Sequence, residues 1–550
     1  MRSSVRPAER VRIDWLVDLA AGLFALLGYW TTLAPTITWS NSGADSGDLV
    51  TAAYTLGIPH PPGYPLYTLV AVVFAHLPFG EPARNVGFCS ALAAAIAVVL
   101  IGKSARRLIA VYPQNVTTHS HVIPSEARNL ITSNEALRFA QGDKSLGQLP
   151  QSWITSFVPP SAALVFAFAP LFWSQSNVAE IYAFNILIVS ALVLALFSES
   201  RYRLFFAALA FGLGLAHHLT IVLMLPTAIV LLADTRWTRR EIFLAVSIAL
   251  APLLFYLYLP LRAAAQPPVN WGDPRTLDGF WWTVSGAPYH AYLFGATLSE
   301  LSARVALAAQ SLFDQFKVWG VALGLWGIAQ MAFSQDRKMQ RWVVALVLGF
   351  LFAAMYAIVY VTRNSFVYLL PAFLIFALWI AYGLADLANR LPARWGMAVA
   401  SVALVFLPGF NFVSNYSAVN VSQDHTAYAY AQHVFATVPN DAVVLADGDE
   451  HLFALWYYRN VVAKGSSVVV VSTDLLQYAW YYNEVRAWLP YARATVIGQA
   501  AAPDRARTFE IINRTLETSR AVYTTAPRDW LARYGYRQQG DLFWILKQQR

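Results

Sequence analysis

The sequence predicts a polytopic α-helical membrane protein of about eleven transmembrane helices, followed by a C-terminal extracytoplasmic α/β domain. Three observations carry that expectation. The 550 residues are 57% hydrophobic and only 13% charged, with a mean hydropathy of +0.46, too apolar for a soluble chain of this size. Apolar runs of spanning or near-spanning length recur from residue 13 to residue 412. Beyond that point composition becomes ordinary, and short apolar runs alternate with helix-like stretches.

The first run, Ile13 to Leu33, follows Arg2, Arg6, Arg10 and Arg12. It is long enough to span and lacks a convincing cleavage site, so it reads as a retained first helix with a cytosolic N-terminus. Further runs lie near 86–102, 154–172, 181–198, 204–216, 219–233, 241–260, 318–333, 342–361, 366–385 and 396–412, the pair around His217 being short. Lys103, Arg106 and Arg107, then Arg201 and Arg203, then Arg236, Arg239 and Arg240, then Arg337, Lys338 and Arg341, then Arg390 and Arg394 fall in alternate loops, which are therefore cytosolic. This alternation holds only if the run from Tyr67 to Leu77 does not cross. Residues 45–80 are accordingly expected to lie along the outer membrane surface and to return before a second span beginning near Arg84.

This divides the chain into a transmembrane domain, 1–412, and an extracytoplasmic α/β domain, 413–550. Within the first, 34–85 is an external catalytic loop and 261–316 an external loop with Phe280, Trp281 and Trp282. Residues 112–152 are polar and aperiodic, as in "SEARNL" and "RFAQGDK", and read as an inserted cytosolic loop of the kind left by a bacterial genomic repeat. The expected location is a bacterial inner membrane.

The net charge of +8 comes from short basic segments between apolar runs, which excludes a nucleic-acid role. Cys89 is the single cysteine, so there is neither an internal disulfide framework nor a thiolate metal cluster. The expected topology gathers polar groups on one face: Asp45, Asp48 and His60; Gln175, Glu180 and Tyr182; His217 and His218; Arg262 and Asp273; and Arg363. Such a set suits transfer from a lipid-linked phosphate, a carboxylate deprotonating an acceptor hydroxyl and an arginine binding the leaving phosphate. Asp45 could equally be a helix N-cap, with Asp48 in the first turn. Trp271 and the aromatic cluster could form an interfacial belt or a sugar platform. Adjacent His217 and His218 diverge on a helix and have no third partner at metal-like spacing, so no metal is expected.

The run Asp45-Ser46-Gly47-Asp48 through His60-Pro61-Pro62-Gly63-Tyr64-Pro65-Leu66-Tyr67 resembles the hallmark of a large bacterial and eukaryotic family, once catalogued as a domain of unknown function, whose animal member is a protein O-mannosyltransferase. Phe172-Trp173-Ser174-Gln175, Ala179-Glu180-Ile181-Tyr182, Gly214-Leu215-Ala216-His217-His218, Leu261-Arg262, Asn270-Trp271-Gly272-Asp273-Pro274, Tyr368-Leu369-Leu370-Pro371 and Gly448-Asp449 follow in family order. The resemblance implies a GT-C glycosyltransferase fold with surface helices after the first external loop. It also implies a sugar donor on a polyprenyl phosphate, with no cofactor. Asp45 is then the motif acid and general base, and Asp48, the second candidate catalytic acid, stands where glutamate is commoner. His60, Tyr64, Asn270 and Trp271 join the substrate-binding set. Val361-Thr362-Arg363-Asn364 departs from the acids often found there. The implied reaction is inverting transfer of a hexose, mannose by family, to a protein or glycan hydroxyl on the outer face. Arg262 or Arg363 would bind phosphate on the wall opposite Asp45. A transporter or flippase of lipid-linked saccharide, or a non-catalytic assembly factor, is the alternative.

Overall fold

The computed structural model describes residues 7–111, 151–491 and 503–546. The expected insertion at 112–152 lies, except for its last two residues, outside the described residues.

Among the described residues, six helices have the length and hydropathy to cross a bilayer: Ile13–Thr31, Pro82–Ala110, Arg239–Ala264, Arg337–Val359, Ser365–Arg390 and Ala398–Val419. The runs at 154–172, 181–198, 204–216 and 219–233 form shorter apolar helices. The first of these ends at Ala167, and Pro170 opens a separate turn. The run at 318–333 is the second half of a 35-residue helix, Leu298–Ala332, bent where Lys317 takes φ 56°. Residues 298–316, expected as loop, are therefore helical. Their start is a capping box in which Thr297 and Glu300 satisfy each other's backbone N–H.

Side chains such as Phe243, Leu254, Leu261, Val405 and Val413 stand exposed around these helices, an arrangement suited to lipid and costly in water. The helix Leu370–Arg390 runs through the centre with almost every residue buried. It meets Leu298–Ala332 at two glycines: a β-carbon on Gly327 would stand 2.0 Å from the Trp379 carbonyl oxygen, and one on Gly383 2.1 Å from that of Leu323. Without a hydrophobic driving force between helices in lipid, such close backbone approach is what packs them.

Four elements lead to the site. Helix α1 (Pro7–Thr31) ends at a short turn. Helices α2 (Ser46–Thr55) and α3 (Pro65–Ala75) follow, then α4 (Pro82–Ala110), opened by Glu81 accepting the Arg84 N–H and by Pro82. At ten and eleven residues α2 and α3 are too short to span, as the charge alternation required.

The C-terminal part carries a five-stranded sheet in the order β2-β1-β3-β5-β4. These strands are β1 (Val443–Ala446), β2 (Val469–Ser472), β3 (Val522–Thr524), β4 (Gly535–Gln539) and β5 (Leu542–Leu546). β1 pairs in parallel with β2 and β3, with Val443 opposite Val469 and Val522, while β5 runs antiparallel to β3 and β4. β1, β2 and β3 are buried along their whole length, as parallel strands covered on both faces must be. β1 leads through Asp447 and Gly448 into the helix Asp449–Tyr457, which packs on α2. One apolar core accordingly joins Leu49, Val50 and Tyr67 to Val443 and Leu455.

Candidate active site

A cavity of about 810 Å³ opens where the first loop, the short helix Ala287–Tyr292, the segment 360–368 and the helix Asp449–Tyr457 meet. Asp45, His60, Gln175, Tyr182, His218 and Arg363 line it, and so does Tyr64. Leu171, Val222, Leu223, Phe366 and Val367 supply an apolar part of the lining.

Asp45 holds the N-cap position of α2 but makes no capping bond. Its carboxylate is instead turned to the cavity, with 38% of its side-chain surface exposed. Burial among protein atoms raises its pKa, His60 opposes that, and Asp48 adds to it. Asp48, one turn on, is fully buried. Its Oδ2 accepts the His60 backbone N–H at 2.9 Å and contacts His60 Nδ1 at 2.8 Å, while Trp271 Nε1 donates to Oδ1 at 3.1 Å. Asp48 therefore neither lines the cavity nor caps its helix. Burial pulls the His60 imidazole down, but the carboxylates of Asp45 and Asp48 outweigh it and push it up to about 9.

His218 presents an edge whose chemistry is set from behind. Its Nδ1 accepts the Thr220 backbone N–H at 3.3 Å, which leaves the proton on Nε2, and burial lowers its pKa to about 3. It is a neutral donor. His217 lies behind the wall, Nε2 bonded to the Ile181 carbonyl at 3.1 Å, and Glu180 is likewise buried beside it with both carboxyl oxygens unpartnered. Desolvation, then the charge of Asp45, hold Glu180 well above the usual carboxylate range. Gln175 donates to the Asn41 carbonyl at 2.9 Å.

Three expectations fail on placement. Arg262 turns away to the carbonyls of Leu56 (2.6 Å) and Thr55 (3.5 Å), since a helix C-terminus offers it acceptors on the spot. Asn270 bonds Asp273 and Glu484, and Asp273 pairs with Arg275. Trp271 is buried under Asp48, neither an interfacial anchor nor a cavity platform.

The cavity has members that the sequence reading left without a role. Asp449 and Phe453 reach it from the C-terminal part, and Tyr289, Tyr292, Tyr360 and Tyr368 from the long loop and the segment before Leu370. Burial, then the neighbouring Asp45, raise Asp449 to about 6. Gly448-Asp449 and Tyr368 stood among the motif pieces, which was the available signal. Arg363 is the one arginine or lysine on the lining among the described residues; its Nη1 lies 3.0 Å from Glu450 Oε1. Among the described residues no three His, Cys, Asp or Glu side chains come together in a metal-holding group.

Helices too apolar for water around a bundle, with this polar cavity between the first loop and a sheet-bearing C-terminal part, define the class: an integral membrane protein of the GT-C fold. ArnT from Cupriavidus metallidurans has that architecture. Its apo structure superposes with a TM-score of 0.56 at 10% identity, covering 96% of this chain and 97% of ArnT. The structure bound to undecaprenyl phosphate gives 0.54 over the same shares. Within that class the chain is similar to the TMEM260 proteins. Residues 45–241 match the domain described as "Protein O-mannosyl-transferase TMEM260 N-terminal domain", and residues 427–497 match "TMEM260-associated domain 2". The mouse protein O-mannosyl-transferase TMEM260 is 26% identical over 490 residues, 83% of this chain and 63% of the mouse protein. The Dictyostelium discoideum protein is 21% identical over 508 residues, 80% of this chain and 56% of its own length. The chain thus spans about three fifths of the relatives it matches.

Proposed function

We propose that this chain is a membrane glycosyltransferase. In this reading it moves a hexose, mannose by its relatives' name, from a polyprenyl-phosphate carrier to an acceptor hydroxyl on the non-cytosolic face. The observation that carries the reading is the cavity itself: two carboxylates, Asp45 and Asp449, and one guanidinium, Arg363, over an apolar lining that an isoprenoid can occupy. The acceptor O–H gives its proton to Asp45 as its oxygen attacks the anomeric carbon. The bond from that carbon to the phosphate oxygen breaks, and the phosphate leaves with the electron pair toward Arg363. Attack opposite the leaving group inverts the centre. The relation to ArnT, solved with undecaprenyl phosphate, supports a lipid carrier, and the reading uses no resident metal. The alternation of basic loops supports a cytosolic N-terminus and an external cavity, in a bacterial inner membrane.

The test is transfer of radiolabelled mannose from a polyprenyl-phosphate carrier to endogenous acceptors in membranes holding the full chain, with and without a chelator. Asp45→Asn removes the base, a loss of about 10²- to 10⁴-fold, with thermal unfolding unchanged. Normal turnover by that variant refutes the assignment.

A further inference from the structure

The two acids of the first loop have separate work. Both oxygens of Asp48 are committed, Oδ2 to the backbone N–H and Nδ1 of His60 at 2.9 and 2.8 Å, and Oδ1 to Trp271 Nε1 at 3.1 Å. Both oxygens already accept, from the His60 backbone N–H and the Trp271 indole, so Nδ1 is the donor of the third contact and the ring cannot swivel without breaking that bond. Its other edge, Nε2, stands 4.0 Å from Asp45 Oδ2. The ring lies edge-on to Tyr64 at 5.2 Å and stacked on Phe453 at 6.4 Å. Only 10% of the His60 side chain is exposed, against 38% for Asp45.

We propose that Asp48 and His60 are positioning residues for Asp45: Asp48 clamps the imidazole so that Nε2 presents a cationic N–H to Asp45, holding that carboxylate ionised and aimed into the cavity. This rests on Asp45 being the base, and it replaces the roles the sequence suggested, catalysis for Asp48 and substrate binding for His60. The same division of labour, an acid that fixes a histidine and a histidine that serves a third group, is a general device for setting tautomer and charge.

The other groups facing Asp45 are acidic or neutral. Asp48 lies on its own helix, Glu180 ahead of Tyr182–Leu196, Asp449 on the helix packed across α2, and Tyr64 and Tyr289 beside it. His60 faces Asp45, Asp48, Asp449 and the neutral His218. Of these groups His60 is the cation, so without it Asp45 ionises only at higher pH. Turnover, which needs the carboxylate, then begins at higher pH.

The experiment is the pH profile of mannose transfer from undecaprenyl-phosphate mannose in membranes, for the full chain and for Asp45→Asn, His60→Gln and Asp48→Asn. His60→Gln should move the acid limb up by about one pH unit or more, giving about tenfold loss at pH values below the wild-type limb. Most of the turnover should return at alkaline pH with the donor KM unchanged. Asp48→Asn should shift the limb the same way, and it carries the test if His60→Gln does not fold. A loss of equal factor at every pH overturns the proposal, as does a raised KM with the limb in place, which would make His60 a donor contact. If Asp45→Asn keeps its activity, the base assignment itself falls; if it is inactive while His60→Gln loses uniformly, only the positioning role does.

Discussion

Replacing Gly47 by alanine should disable the site while leaving the bundle folded. A β-carbon there would stand 2.4 Å from the Phe453 carbonyl oxygen and 2.6 Å from its carbonyl carbon. Comfortable contact needs about 3.5 Å, so α2 and the helix Asp449–Tyr457 must part by about 1 Å. Neither partner can give way alone, because the clash is with backbone. Overpacking of this kind costs about 1–3 kcal/mol, a few degrees of melting temperature in a chain this long. The functional cost is larger in proportion. α2 carries Asp45 and its clamp, the facing helix carries Asp449 and the Phe453 ring that backs His60, and a 1 Å misplacement costs about 10²-fold in rate. Turnover in the mannose-transfer assay should therefore fall about 10²-fold with a modest change in thermal unfolding. Gly409→Ala serves as the silent control, since a β-carbon there meets nothing within 4 Å. Wild-type turnover by Gly47→Ala would show that this contact does not set the spacing of the carboxylates.

Glu450→Gln releases Arg363 from an exposed ion pair worth at most about 1 kcal/mol. If Glu450 competes with the donor phosphate, the donor KM falls up to about fivefold with kcat unchanged; a higher KM would mean that Glu450 holds Arg363 in place for the donor. Glu484, bonded to Asn270, is raised by burial from 4.5 to about 8. Its folded form therefore holds a proton that the unfolded chain has lost between those values, and stability drains away as pH rises from 4.5 to about 8. Glu484→Gln should raise the melting temperature at pH 9 and leave it unchanged at pH 4, read by thermal unfolding; an equal shift at both would remove burial of the charge as the cause.

Much of the site was legible because its residues sit next to a strong signal. The acids at 45 and 48 follow a spanning run directly, and the basic loops required the stretch behind them not to cross, as the short α2 and α3 show. The helix Thr426–Thr437 and the strands Val443–Ala446 and Val469–Ser472 likewise show the mix of short apolar runs and helix-like stretches read after residue 412. What stayed hidden depends on partners far away in the chain. Arg262 reads as a free cation until the carbonyls of Thr55 and Leu56 arrive from 206 residues earlier. Asp48 and Trp271, 223 residues apart, look like a candidate catalytic acid and a candidate substrate contact until the indole donates to the carboxylate. Asp449 stood in a motif piece but without a role, since only the packing of its helix on α2 brings it beside Asp45. The helical half at 298–316 hid behind small and polar residues that lack an apolar period, although its capping box was in plain view.

The packing of Asp449–Tyr457 on α2 also sets an order of events during synthesis. Asp45 is made early, yet the Phe453 wall that backs His60 emerges some four hundred residues later. A ribosome-bound chain whose described apolar helices up to Val419 have all emerged still has no closed cavity. The cavity is complete only once the helix Asp449–Tyr457 has folded and settled against α2.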